Sequence, residues 1–248
     1  MPATQKVLDK YWSQRARAYH DHQAASERAA ADRELWTSIF ARHMPGKGLR
    51  VLDVGTGPGY VAHILADLGH TVIGLDAAPG MLAQANAEAS ARKSAGLPYA
   101  TFQLADVTEI PAELGQFDAV TSRYLLWTLR EAQTAIEQWA QVLRPGGMII
   151  AADANWYSAG VPADLEVECD GSPDSFVQTY SDSVLAELPL AQASSPEEYA
   201  RTMRAAGLEQ VEIHWLPEVQ ELDRRFGLAP GHESKPNFLL TAVTPAAS

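Results

Sequence analysis

The fold is decided by ten residues, Val51-Leu52-Asp53-Val54-Gly55-Thr56-Gly57-Pro58-Gly59-Tyr60, an apolar run of strand length that enters a glycine cluster and leaves as a helix. Glycine admits backbone conformations closed to other residues and lets a ligand approach the main chain. Open α/β sheets bind their ligands at the carboxyl ends of the central strands. The turn therefore predicts a site for an adenine-bearing ligand, against the plainer reading of an ordinary strand-to-helix connection. Spacing separates the ligand classes. A dinucleotide turn is Gly-x-Gly-x-x-Gly, with a helix N-terminus facing a pyrophosphate. Here the glycines run Gly55-x-Gly57-x-Gly59, and Tyr60 stands where the third glycine would fall. No Gly-Lys-Ser/Thr ending follows, as a P-loop requires.

Working outward, the next apolar run, TVIGLD, ends in Asp76, nineteen positions after Gly57, about where an acid reaches ribose hydroxyls in a nucleotide-binding βαβ unit. YATFQLAD carries Asp106 at its end, and FDAVTS and GMIIAAD follow. The intervals are helix-compatible: Tyr60 to Leu68, Gly80 to Lys93, and Glu131 to Leu143 with Ile136, Trp139, Ala140 and Leu143 on one stripe. Strand alternating with helix predicts an α/β fold with a mostly parallel sheet. Upstream, residues 4 to 44 read as two helices, with Leu35, Ile39 and Phe40 on one side before Pro45-Gly46. Between Asn155 and Ser195 the pattern loses regularity, with five Gly or Pro breakers and the acidic run DLEVECD, and reads as a partly helical insertion. A helix beginning at Pro196 and the strands EQVEIHWL and NFLLTAVT complete the chain, with no internal repeat or low-complexity tract.

Composition bounds the function. The 248 residues are 46% hydrophobic, enough for one large domain or a domain with an insert. No stretch approaches the roughly 18 to 20 apolar residues of a membrane span, and the polar start lacks a signal-peptide core, so a soluble, cytoplasmic protein is expected. Nineteen basic against 31 acidic side chains give a net charge of −12, a surface that repels phosphates, so neither nucleic acid nor membrane is expected as a partner. A homodimer is left open. The single cysteine, Cys169, makes no internal disulfide or Cys-rich zinc site and fits a reducing compartment. Seven histidines include no His-Glu-x-x-His pattern, and His20 and His22, two apart, point away from each other on a helix; no metal is expected. His63 and His70 flank the helix after the glycine turn and read as surface residues, while His43, His214 and His232 have no motif around them.

Five motifs in order, VLDVGTGPG, VIGLD, LAD, FDAV and LRPGGMII, resemble those of class I S-adenosylmethionine-dependent methyltransferases over about residues 45 to 153. The resemblance implies a Rossmann-like fold: a mostly parallel seven-stranded sheet with an antiparallel last strand. It further implies an N-terminal helical lid (1–44), an S-adenosylmethionine-binding core (45–154), an inserted substrate cap (155–197) and a C-terminal completion of the sheet (198–248). The family's roles then fall on matching positions. Gly55, Gly57 and Gly59 would pass beneath the methionine part of S-adenosylmethionine, and Asp53 would brace that turn or meet the cofactor's ammonium group through water. Asp76, with Ala77 beside it, would hold the ribose hydroxyls, and Asp106 with Val107 would lie by the adenine amine. Tyr11 and Tyr19 on the lid would approach the sulfonium or the carboxylate, with Arg15 or Arg17 pairing the carboxylate or simply lying on a solvated helix face. Ser122 and Arg123 fall where the family puts cofactor- and acceptor-facing residues. Arg123 suits an acceptor carboxylate or an ion pair within the fold about equally, and Trp127 reads as core.

Methyl transfer is an in-line displacement, so a dry pocket that fixes the angle does most of the work and a base matters only if the acceptor must lose a proton. His20 and Asp153 are the candidates for that base, with Asn155, Trp156 and Tyr157 near the acceptor. Thr121-Ser122-Arg123-Tyr124 is not the Asp/Asn-Pro-Pro-aromatic signature of methylation at nucleobase exocyclic amines, and the lone cysteine argues against a cysteine nucleophile. O- or N-methylation of a small molecule remains, releasing S-adenosylhomocysteine. The competing readings are a Rossmann-type NAD-dependent oxidoreductase and a non-catalytic S-adenosylmethionine-binding protein.

Overall fold

The computed structural model describes residues 3–24, 27–162, 165, 174–227 and 233–246. Cys169 and His232 lie outside the described residues, as does the side chain of His22. Two helices lead, α1 (Ala3–Ala24) and α2 (Glu27–His43). The core alternates strand and helix: β1 (Arg50–Val54), α3 (Tyr60–Asp67), β2 (Thr71–Asp76), α4 (Pro79–Ser94), β3 (Thr101–Leu104), β4 (Phe117–Arg123), α5 (Ala132–Gln141) and β5 (Leu143–Ala154). Beyond it come the short α6 (Ser175–Thr179) and α7 (Asp182–Leu185), then α8 (Pro196–Ala205), β6 (Glu209–Trp215), α9 (Pro217–Phe226) and β7 (Asn237–Val243).

The sheet has seven strands in the order β3-β2-β1-β4-β5-β7-β6. The first five are parallel, and β7 runs antiparallel to both β5 and β6. Strand order reverses between β1 and β4, which opens a crevice at their carboxyl ends. Both faces are covered, and successive residues alternate between two cores. Leu52, Val120, Ile149, Ala151 and Leu240 join the core formed with α1, α5 and α8. Val51, Ala119, Ile150, Ala152 and Leu239 join the core formed with α2, α3 and α9. On α2 the expected stripe holds for Ile39 and Phe40, and Trp36 and Met44 join them in near-complete burial. Each such side chain contributes roughly 1.5 to 3 kcal/mol of burial free energy.

Three sequence expectations are corrected. His63 and His70 are buried, not on the surface. His63 turns under β3, its Nδ1 accepting the Ala100 N–H at 3.4 Å and its ring meeting Phe102 edge-on at 5.5 Å. Burial depresses its pKa to about 4, so it packs as a neutral ring. Residues 217–226, passed over as tail, form α9. PEVQELDRRF is polar in sequence, but Pro217 starts it and Val219, Leu222 and Asp223 share the buried face. Asp223 is anchored there by Arg28 at 2.6 Å and Ser234 at 2.9 Å. No helix among the described residues is long and apolar enough to cross a membrane.

Candidate functional site

The sheet's carboxyl-end crevice holds a cavity of about 150 Å³ and, joined to it at Tyr19, Gly55, Gly57 and Arg123, a smaller one of about 40 Å³. The floor is the glycine turn. Gly55, Gly57 and Gly59 have φ of 63°, 56° and 86°, all in the left-handed region that favours glycine. Asp53, fully buried below, braces the turn by accepting the hydroxyls of Thr56 (2.7 Å) and Thr121 (2.8 Å). Burial nonetheless raises its pKa to about 6.

At the end of β2, Asp76 accepts the N–H groups of Gly57 and Ala78, both at 2.8 Å, tying the turn to the start of α4. Burial outweighs these donors and pushes its pKa up to about 6. Past the end of β3, Asp106 accepts the Thr108 N–H (2.9 Å) and hydroxyl (2.7 Å). Asp76, Ala77, Asp106 and Val107 all line the larger cavity. Among the described residues no cation pairs with either carboxylate, so both keep acceptor capacity toward the cavity. This acid-lined, glycine-floored cleft suits a ligand with hydroxyl and amine donors and positive charge, and S-adenosylmethionine has all three.

Helix α1 forms the roof, contributing Gln5, Leu8, Asp9, Trp12 and Tyr19 to the wall. It is held by the Trp12 indole N–H donating to Tyr180 at 2.9 Å, by the Thr4 hydroxyl donating at 3.0 Å to Glu187, which Arg130 fixes from the far side at 2.7 Å, and by the Gly80 N–H donating to Ser13 at 3.3 Å. Asp9 faces Asp106 and accepts from Gln5 at 2.8 Å; burial raises its pKa.

The far wall follows β4. Arg123 lines both cavities, and Tyr124, at φ 58°, holds a left-handed conformation unusual for a tyrosine while its hydroxyl donates to Asn237 at 2.7 Å. A non-glycine residue so placed beside a cavity stores strain that the surrounding packing must hold.

Other sequence candidates lie elsewhere. Tyr11 packs edge-on among Trp12, Phe176 and Tyr180, off both cavity walls. Gly59 shapes the turn without lining either cavity, and Ser122 is buried behind the wall with no described hydrogen-bond partner for its hydroxyl. Half-buried His20 is off both walls, as are Arg15 and Arg17. Asp153 is wholly buried. It accepts the Trp156 indole N–H (2.8 Å), the Ala154 N–H (2.9 Å) and the Trp127 N–H (3.3 Å), and lines neither cavity. Trp127 is core, with Tyr180 and Tyr157 at 5.0 and 5.3 Å. No described residue of 155–197 reaches either wall; α6 and Tyr180 instead support the roof. The residues that sequence reasoning missed, Gln5, Leu8, Asp9 and Trp12, share one face of α1. Their i, i+3/i+4/i+7 spacing was the available signal.

Residues 52–151 match the family model for a methyltransferase domain. The chain is similar to a demethylmenaquinone methyltransferase of Clavibacter sepedonicus, 33% identical over 121 residues, 48% of this chain and 47% of that one. It is also similar to a ubiquinone biosynthesis O-methyltransferase of Dinoroseobacter shibae, 29% identical over 209 residues, 82% and 76% of the two chains. The first of these matches thus spans about half the relative's length. In fold it resembles the magnesium protoporphyrin IX methyltransferase of Synechocystis PCC 6803, solved with bound S-adenosylhomocysteine. The TM-score is 0.61 at 15% identity, over 97% of this chain and 99% of that one. The glycine turn, the acids ending the second and third strands, the sheet order and these likenesses agree: residues 52–151 carry a methyltransferase domain, and the chain has the Rossmann-like fold of class I S-adenosylmethionine-dependent methyltransferases.

Proposed function

We propose that this protein transfers the methyl group of S-adenosylmethionine to an oxygen or nitrogen of a small-molecule acceptor, chiefly by positioning and by excluding water. The observation that carries the reading is the roofed cavity over the glycine turn, with Asp76 and Asp106 on one side and Arg123, Tyr124, Leu125 and Leu129 on the other. The cofactor supplies an electrophilic methyl on a sulfonium, whose charge disappears as the new bond forms. Asp76 would accept the ribose hydroxyls, Asp106 and Val107 would lie at the adenine, and Asp53 would act through the turn it braces. Tyr19 and Trp12, on α1, shut the cavity against water, which strengthens every electrostatic contact inside it.

The two candidate bases, His20 and Asp153, line neither cavity, and Asp153 is spent on N–H donors, which supports positioning over base catalysis by either of them. Asp153 is read here as a positioning residue that holds Trp156 and Trp127 behind the wall. The described part of 155–197 acts through the roof. The net charge of −12 favours a small acceptor over nucleic acid. Relatives named for quinone biosynthesis support a small-molecule class without fixing the molecule.

The test is incubation of the purified chain with methyl-labelled S-adenosylmethionine and a small-molecule extract, alongside calorimetric titration with S-adenosylhomocysteine and NAD. Label entering a small product, with affinity for S-adenosylhomocysteine and not for NAD, is expected. Cofactor binding with no labelled product from any extract would instead favour a non-catalytic binder.

A further inference from the structure

We infer that Asn237, on β7, is a positioning residue whose amide oxygen holds Tyr124 in the left-handed conformation that builds the far wall of the larger cavity. The inference rests on the methyltransferase reading and adds a residue, itself lining neither cavity, on which that site depends. β4 ends at Arg123, and Arg123, Tyr124 and Leu125 all line the larger cavity. An extended strand sends successive side chains to opposite faces, so three consecutive residues on one wall require a break in the middle. Tyr124, at φ 58°, is that break. Both of its neighbours depend on it. The Leu125 isobutyl group lies against Gly55, where a Cβ would come within 2.7 Å of its methyl carbons, so Leu125 covers the turn that the resemblance puts beneath the methionine part. The Arg123 guanidinium carbon lies 5.0 Å from the centre of the Tyr124 ring.

A tyrosine does not hold this conformation unaided, because its Cβ crowds its own backbone there. Its N–H donates to the Ala152 carbonyl of β5 at 2.8 Å, its ring meets Trp36 of α2 and Trp156 edge-on at 5.9 and 5.1 Å, and its hydroxyl donates to Asn237 Oδ1 at 2.7 Å. The last of these is the directional one on the side chain. Asn237 is 4% exposed and opens β7 opposite Ala154, the last residue of β5, at the crevice end of the sheet. Its Nδ2 donates to the Lys235 carbonyl at 2.9 Å. A carbonyl only accepts, so the amide cannot turn over, and its oxygen is fixed toward Tyr124. The strand that completes the sheet thus reaches the cavity through one side-chain bond across 113 residues of sequence. Without that bond Tyr124 relaxes toward ordinary backbone conformations and the wall from Arg123 to Leu125 loses its shape. Asp76 and Asp106, on the other side, are held by their own N–H donors and keep theirs.

Calorimetry on the full chain tests this with Tyr124→Phe, which keeps the ring and loses the hydroxyl, with Asn237→Ala, and with the double variant. Each is titrated with S-adenosylhomocysteine and with 5′-methylthioadenosine, which keeps adenosine and sulfur but lacks the amino-acid end. Either single change should weaken S-adenosylhomocysteine roughly three- to thirtyfold and 5′-methylthioadenosine by less than about twofold. Both changes remove the same bond, so the double variant should stay within about twofold of the larger single loss. Melting temperatures are read alongside. A merely structural bond lowers them and leaves the S-adenosylhomocysteine affinity of the folded variants unchanged, and that result overturns the inference. So does equal weakening of both ligands, or a double loss equal to the product of the single ones. Should Asn237→Ala not fold, or 5′-methylthioadenosine bind too weakly to titrate, hydrogen exchange of the Tyr124→Phe complex with S-adenosylhomocysteine decides. The Thr128 and Leu129 amides, bonded to the Leu125 and Leu126 carbonyls, should exchange several fold faster, while the Gly57 and Ala78 amides, bonded to Asp76, should not. Unchanged or uniformly faster exchange overturns the inference. Failure of wild type to bind S-adenosylhomocysteine refutes the methyltransferase reading instead.

Discussion

Gly80→Ala is a lever on the roof that leaves the floor alone. A Cβ at Gly80 would stand 2.2 Å from the Ser13 carbonyl oxygen and 2.8 Å from both its carbonyl carbon and Cα, all backbone atoms of α1. Ordinary contact begins near 3.4 Å, so α1 must move off α4 by roughly 1 Å, and overpacking of this kind costs about 1 to 3 kcal/mol. Ser13 neighbours Trp12, so the shift also strains the 2.9 Å bond to Tyr180. The new methyl sits in the first turn of α4, where alanine is a good helix former, so the cost falls on the closed roof and not on the helix. Hydrogen exchange should show α1 amides opening about five- to 150-fold more often while core-strand amides keep their protection. S-adenosylhomocysteine should bind more weakly by up to the same factor, because the closed form is the competent one. Unchanged α1 exchange and unchanged affinity in a folded variant would refute the roof. So would an equal loss of protection in α1 and in β1 and β4, which would make the α1–α4 contact part of the global core.

Asp76→Ala should weaken S-adenosylhomocysteine binding roughly ten- to a hundredfold by calorimetry with the fold intact. In wild type the affinity should fall as pH drops through about 6, where Asp76 protonates, and Asp76→Asn should flatten that profile. Burial holds Asp153 at about 7, above its unfolded value, so the native state keeps a proton that the unfolded chain loses. Its contribution to stability is full below about 4 and lost as pH rises through about 7. Denaturant unfolding should accordingly show Asp153→Asn gaining on wild type between pH ~5 and ~8, by at most about 4 kcal/mol. The same variant should lose less than roughly a hundredfold in turnover; abolished turnover with normal cofactor affinity and one missing limb of the pH profile would make Asp153 the base.

Much of this molecule is written in local pattern. The strand runs ending in Gly55, Asp76 and Asp106, and the stripes of the helices between them, follow from period-two and period-3.6 burial and from the conformations open to glycine. These constraints act within a few residues, and the turn they mark supplies Gly55 and Gly57 to the wall of a cavity that Asp76 and Asp106 also line. The antiparallel β7 was implied by resemblance, and α9 was missed because its buried positions are few and its composition polar. What only tertiary structure decided is the company each side chain keeps. Sequence could not tell which face of α1 would meet the cavity and so chose Tyr11 beside Tyr19, whereas packing against α6 turned Tyr11 into an aromatic cluster and brought Trp12 and Asp9 to the wall. Nor could it tell that Asp153 would be enclosed by Trp127 and Trp156, that His63 would be roofed by β3, or that Arg123 would sit among the rings of Trp36, Tyr60 and Tyr124. Such outcomes depend on segments as much as 165 residues apart, Tyr11 and Phe176, arriving at one place, and burial, hydrogen bonding and charge pairing are properties of that arrival rather than of the residue type.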